Sequence, residues 1–267
     1  MTDGADAGKS GMANYEDPNC NVSLPVFSIH GNHDDPAGEA NLSAMDVLAS
    51  AGLVNYFGKH ALGGGGAGRV DLKPVLLRKG QTKVALYGLG YIRDNRLHQM
   101  FSVKGCVRWH RPAETEDCSS SSWFNVMLIH QNRAAHSKNA ISDRYLPSWL
   151  DYVVWGHEHE CFPEPQAVPG KKFVVSQLGS TAQTKCSANE EAGKYALMLT
   201  IDGKQTLVSD ETWEGRAGPI SFNSVYGGED HDARLEEPGW DSAPFPTANA
   251  SAWKRAVKAS GPGCTYD

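Results

Sequence analysis

Residues 25–36 read Pro-Val-Phe-Ser-Ile-His-Gly-Asn-His-Asp-Asp-Pro (PVFSIHGNHDDP), an apolar run that ends in a cluster of polar side chains able to bind a metal. The pattern recurs twice, as WFNVMLIHQNR at 123–133 and LDYVVWGHEHEC at 150–161. The apolar runs, ending at Ile29, Ile129 and Trp155, have the length and composition of short buried strands. Loops at the carboxyl ends of strands are where α/β sheets build their sites. Three strands that each deliver His or Asn to one edge therefore predict an α/β domain with stacked sheets and one convergent polar centre.

Working outward, Met45, Leu48 and Leu53 recur at helical spacing, with Asn41 or Ser43 placed to cap that helix. Pro74–Leu77 and Lys83–Gly88 read as strands, and Asp94–Phe101 as a short helix. His110–Ser122 is a polar loop, and Tyr145–Leu150 a turn or short helix. Phe173–Ser176, Tyr195–Ile201 and Gln205–Val208 complete the strands, and Asp202-Gly203 between the last two is a hairpin signal. These elements divide the chain into a loop-like or disordered segment at 1–22, a folded domain at 23–212, and a Gly/Pro/Ser/Asp-rich tail at 213–267 with little periodicity.

Composition narrows the function. Lys+Arg 25 against Asp+Glu 31 gives a net charge of −6, so a histone-like, non-specific nucleic-acid binder is excluded. Contact with phosphate must come from a local site. No apolar run approaches the roughly 20 residues of a membrane span, and the first 20 residues lack the basic-then-apolar order of a secretion signal. The six cysteines are scattered without a C-x-x-C pair, as suits reduced thiols.

Neutral imidazoles and an amide oxygen are ligands for manganese, iron or zinc. His157 and His159 are two apart, so an extended segment would aim both to one side and Glu158 to the other. Cys161 continues that alternation, which leaves a His-x-His-x-Cys zinc reading beside that of a buried thiol. Gly63, Gly65 and Gly68 satisfy G-x-G-x-x-G, but no helix follows, so a dinucleotide site is not expected. Arg93, Arg96, Lys104, Arg108 and Arg111 form a loose basic run, either a solvated face or a grip on a nucleic-acid backbone.

Together with LVNYFGK (53–59) and KVALYGLGYIRDNRLHQMF (83–101), the three stretches resemble the eukaryotic double-strand-break repair nucleases of the meiotic recombination eleven family, within the calcineurin-like metallophosphoesterases. The likeness runs from about Asn14 to Ile201. It implies a four-layered α-β-β-α sandwich, two manganese ions, and exonuclease (3′→5′) and single-strand endonuclease activity on DNA in the nucleus. By resemblance, Asn32, His130 and His157 ligate one metal and His159 the other. His33 is not a ligand but the catalytic residue beside the scissile phosphate, stabilising charge or protonating the leaving oxygen. Imidazole suits proton transfer near neutral pH.

The resemblance also implies a coiled-coil ATPase partner, a phosphopeptide-binding adaptor, and a homodimer to which the helix near Met45–Leu53 contributes. That helix has the alternative of packing on the sheet. The family's Asp-x-His and bridging-aspartate motifs belong upstream of Asn14, where the chain has no room for them. The expected fold is thus an N-terminally truncated sandwich, with 213–267 a tail or remnant of a DNA-binding cap. SQLGSTAQTKCSANEE (176–191) also departs from the family pattern. The chain alone is expected to bind metal weakly and to be inactive. The competing readings are a catalytically dead scaffold or binding module derived from the nuclease, and another calcineurin-like phosphatase.

Overall fold

The computed structural model describes residues 13–19, 21–62, 68–114, 119–133, 140–181, 195–197, 199–202 and 220–221. In chain order the elements are β1 (Phe27–Ser28), α1 (Ala44–Ser50), β2 (Asn55–Tyr56), β3 (Val70–Leu72), β4 (Val75–Lys79), β5 (Thr82–Leu89) and α2 (Asp94–Ser102). There follow β6 (Val107–Trp109), β7 (Phe124–His130), β8 (Tyr152–Gly156), β9 (Phe162–Ala167), β10 (Val174–Gln177), β11 (Tyr195–Ala196) and β12 (Ile220–Ser221).

Six strands form the main sheet in the order β4-β5-β7-β8-β10-β9. The inner four are parallel, and the edge strands β4 and β9 run antiparallel to their neighbours. A parallel strand covered on both faces reads as a continuous apolar run, and FNVMLIH and YVVWG are such runs. Side chains alternate between two cores. On one face Tyr87, Leu89, Met127, Ile129, Val153 and Trp155 pack with Leu97 and Met100, the buried i, i+3 pair of α2. On the other, Leu86, Phe124, Val126 and Tyr152 pack with Phe57, beside Phe27 and Ile29. The parallel β1–β2 pair forms this second β layer, and α1 lies against β2 outside it. The layers therefore succeed one another as α2, main sheet, β1–β2 and α1, the expected α/β sandwich.

Several details differ from the sequence reading. The strand predicted over Leu24–Ile29 contracts to Phe27–Ser28, because β2 alone pairs with it and Leu24 and Val26 stay exposed. Tyr195–Ala196 pairs antiparallel with Ile220–Ser221. The predicted partner strand Gln205–Val208 and the Gly203 turn lie outside the described residues, as do most of the 1–22 and 213–267 segments and the tip at 63–67.

Candidate metal centre

β7 and β8 are neighbours in parallel register, with His130 opposite Gly156. Both strands thus end together, and His157 emerges one residue beyond the pairing. From the other β layer, the loop after β1 brings Asn32 to the same point. Asn32 Oδ1 lies 3.1 Å from His130 Nε2 and 3.1 Å from His157 Nδ1. The two imidazoles meet edge to face, with ring centroids 5.2 Å apart.

The loop that carries Asn32 is tied on both sides. Its Gly31 amide donates to Asp34 Oδ1 at 2.6 Å, and Ser43 Oγ, the cap of α1, donates to the Asp34 carbonyl at 2.6 Å. The buried His30 joins it to β2, through Tyr56 Oη at 2.7 Å from Nδ1, and to the segment after β5, through the Tyr91 carbonyl at 3.2 Å from Nε2. His130 sits between two glycines. A Cβ on Gly31 would stand 2.8 Å from its ring, and one on Gly156 2.9 Å. Any larger residue at either position would displace the imidazole.

His157 has φ +84°, a left-handed conformation that a non-glycine residue adopts at a cost of about 1–3 kcal/mol and that clusters at functional sites. This turn overrides the alternation predicted for 157–161. Glu158 does not simply face away: it accepts the Arg133 amide at 2.7 Å. Arg133 in turn reaches Gln166 at 2.5 Å, Gln177 at 3.2 Å and Asp143 at 3.3 Å, so it ties the HQNR segment to β9 and β10. Beyond the ring nitrogen that faces Asn32, His157 Nε2 lies 2.9 Å from Asn132 Oδ1. Asn132 Nδ2 donates to Asp94 Oδ2 at the start of α2, and Tyr91 stacks on the His157 ring at 6.0 Å.

Burial lowers the pKa of both imidazoles. For His130, burial and then the neighbouring His157 push it down to about 4. For His157 burial is again the largest cause. Both rings are neutral at neutral pH, the form that binds metals. His33 is exposed at the rim, and its charge is among the smaller influences on both rings. His159 is half-buried, and its charge reaches His157.

The structure thus brings Asn32, His130 and His157 into one cluster, with His33 and His159 around it. Two imidazole nitrogens and an amide oxygen converging within 3.1 Å fit a borderline divalent cation. Among the described residues no three His, Cys, Asp or Glu side chains group as a metal site, so the His-x-His-x-Cys zinc reading does not hold, and Cys161 is a buried thiol. The basic run is partly structural: Arg96 donates to the Leu62 carbonyl, and Arg111 lies over Trp149. Reasoning from sequence missed Tyr91, Asp94 and Asn132. Asn132 lies inside HQNR, and Tyr91 and Asp94 inside the 83–101 stretch, but no role was assigned to any of the three.

A neutral-histidine cluster at the ends of adjacent parallel strands in an α-β-β-α sandwich is the architecture of a metallophosphoesterase. Residues 9–161 match the calcineurin-like phosphoesterase family model, more than half of the chain, and the chain belongs to that family. Within it, the chain is 55% identical over 196 residues to "Double-strand break repair protein MRE11" of Arabidopsis thaliana, an alignment covering 73% of this chain and 27% of that protein. The proteins of the same name from Oryza sativa subsp. indica and Homo sapiens are 54% and 48% identical, over 73% and 72% of this chain and 28% and 26% of theirs. The chain spans about a quarter of the length of these relatives. A second model, the alpha-L-rhamnosidase N-terminal domain, matches residues 170–265, less than half of the chain and mostly outside the described residues.

Proposed function

We propose that this chain is part of the nuclease module of a double-strand-break repair protein, a module that hydrolyses DNA phosphodiesters with manganese, and that the chain alone binds the metal weakly and does not cleave. The observation that carries this reading is the convergence of Asn32 Oδ1, His130 Nε2 and His157 Nδ1, each imidazole nitrogen 3.1 Å from the amide oxygen. Asn32, His130 and His157 would hold one ion and His159 the second. When bound, such a pair of divalent cations neutralises charge on the phosphodiester oxygens and acidifies water. The protein's own groups do the rest. Desolvation keeps His130 and His157 uncharged and available as donors. Exposed His33 stands at the rim, where it protonates the departing 3′ oxygen. The Gly31–Asp34 bond holds His33 and Asn32 in one rigid turn, so donor and acid keep a fixed separation.

The relatives are named as double-strand break repair proteins, and that supports DNA as the substrate and the nucleus as the place of action. A 3′→5′ exonuclease and single-strand endonuclease, a coiled-coil ATPase and a phosphopeptide-binding adaptor belong to the same proposal. So does a homodimer through the helix at Ala44–Ser50, whose Val47 and Leu48 are exposed at 67% and 39%.

The deciding experiment pairs manganese titration with cleavage of a 3′-labelled duplex. In a form that also carries the family's Asp-x-His and bridging-aspartate segment, His130→Ala should abolish both binding and cleavage, whereas His33→Ala should keep binding and lose cleavage. Full cleavage by His130→Ala would overturn the ligand assignment. Robust cleavage by the unaltered 267-residue chain would overturn its expected inactivity alone, and metal uptake without cleavage by the form carrying that segment would make it a binding module instead.

A further inference from the structure

We propose that Asp94 and Asn132 are positioning residues that fix the tautomer of His157, so that its Nδ1 lone pair, and not an N–H, is turned toward Asn32 and His130. The inference rests on the metal-centre reading above and assigns a role to two side chains outside the ligand set. Asn132 has two faces, a donor and an acceptor, and Asp94 decides which way they point. A carboxylate oxygen accepts, so Asp94 Oδ2 takes the amide N–H of Asn132. The Asn132 carbonyl oxygen is then the face presented to His157, 2.9 Å from Nε2. A carbonyl cannot donate, so Nε2 must carry the proton, and in a neutral ring Nδ1 is left bare. Asn32 Oδ1, 3.1 Å from Nδ1, is also an acceptor, but among the described residues its amide lacks the carboxylate bond that pins Asn132. The Nε2 bond therefore sets the ring and leaves the Nδ1 and Oδ1 lone pairs converging as a cation's donors do. Tyr91, stacked 6.0 Å from the ring, restricts rotation out of this alignment.

The order of control therefore runs from the first turn of α2 to the end of β8. The plainer role of Asp94, complementing the positive end of the α2 dipole, explains its place in the helix but not its bond to Asn132. Oriented outer partners of this kind typically change metal affinity by about 10- to 100-fold.

The test is nitrogen-15 NMR of the histidine rings in the metal-free 267-residue chain, with manganese titration beside it. The unaltered chain should show His157 protonated at Nε2, and a ring protonated at Nδ1 would overturn the proposal. Asp94→Asn frees the Asn132 amide to turn over and should give a mixed tautomer with about 10- to 100-fold weaker manganese binding. Asn132→Asp sets two carboxylates against each other and should be worse. The swap Asp94→Asn/Asn132→Asp restores a donor at 94 and an acceptor at 132, and should recover both the Nε2–H tautomer and binding. A purely structural or dipole role predicts no such recovery, because the swap leaves the end of α2 without its charge. Failure of the swap to recover the tautomer would overturn the relay. The NMR result decides the relay and the manganese titration of the unaltered chain decides the metal reading, so the two fail separately.

Discussion

At the scale of single residues, the centre is governed by desolvation and by space. His130 is held neutral by burial, with a pKa pushed down to about 4, and His157 is lowered for the same first reason. The unfolded chain takes up these protons near the ordinary histidine value of about 6.5, while the folded one takes up the His130 proton only near 4. Between those limits the unfolded state binds more protons, so stability is full above about pH 6.5 and falls as the pH drops toward 4. The melting temperature of the metal-free protein should decline across that window, and His130→Gln should flatten the decline. An unchanged slope in that variant would show that other groups carry the effect.

At the scale of elements, α1 has a task larger than its seven residues suggest. Ser43 closes a capping box with Asp46, and its hydroxyl also donates to the Asp34 carbonyl, so one side chain starts the helix and pins the Asn32 loop. Ser43→Ala should cost about 1 kcal/mol as a cap, and it should loosen manganese binding as well. Urea denaturation and metal titration on the same variant read the two effects. A variant that loses stability alone would confine Ser43 to the helix.

The elements also show what was legible beforehand. β7 and β8 were plain in the sequence because burial on both faces leaves near-continuous apolar runs, broken in β7 before His130 only by the buried Asn125. β9 was not, since FPEPQA carries two prolines, which a strand tolerates at a sheet edge such as the one β9 occupies. β3 and β6 pair over three residues each, too few for periodicity to register. Asn32, His130 and His157 could be read as a group because each follows an apolar run directly. Asp94 looked like any acid in a first helical turn, and only tertiary packing aims it at Asn132. The left-handed turn at His157, φ +84°, likewise had no glycine to announce it.

At the scale of the whole molecule, the two β layers meet the solvent differently. α2 buries its apolar pair under the main sheet, whereas α1 buries no residue and leaves Val47 and Leu48 outward, with Leu53 just beyond at 62% exposure. If this face joins two copies, Val47→Glu should shift the sedimentation profile from dimer to monomer and change the monomer's own stability by no more than about 0.5 kcal/mol, as for surface changes generally. A dimer that survives the charge would place the interface elsewhere.

The placement of the donors on separate layers also sets how the centre comes apart. His130 and His157 are mounted on adjacent strands in the middle of the six-stranded sheet, the part of a fold whose amides exchange last. Asn32 follows a two-residue pairing, so its place rests on the side-chain bonds at Gly31, Asp34, Ser43 and His30 rather than on a ladder of strands. Cutting those bonds would therefore release the amide oxygen first and leave the imidazole pair in register.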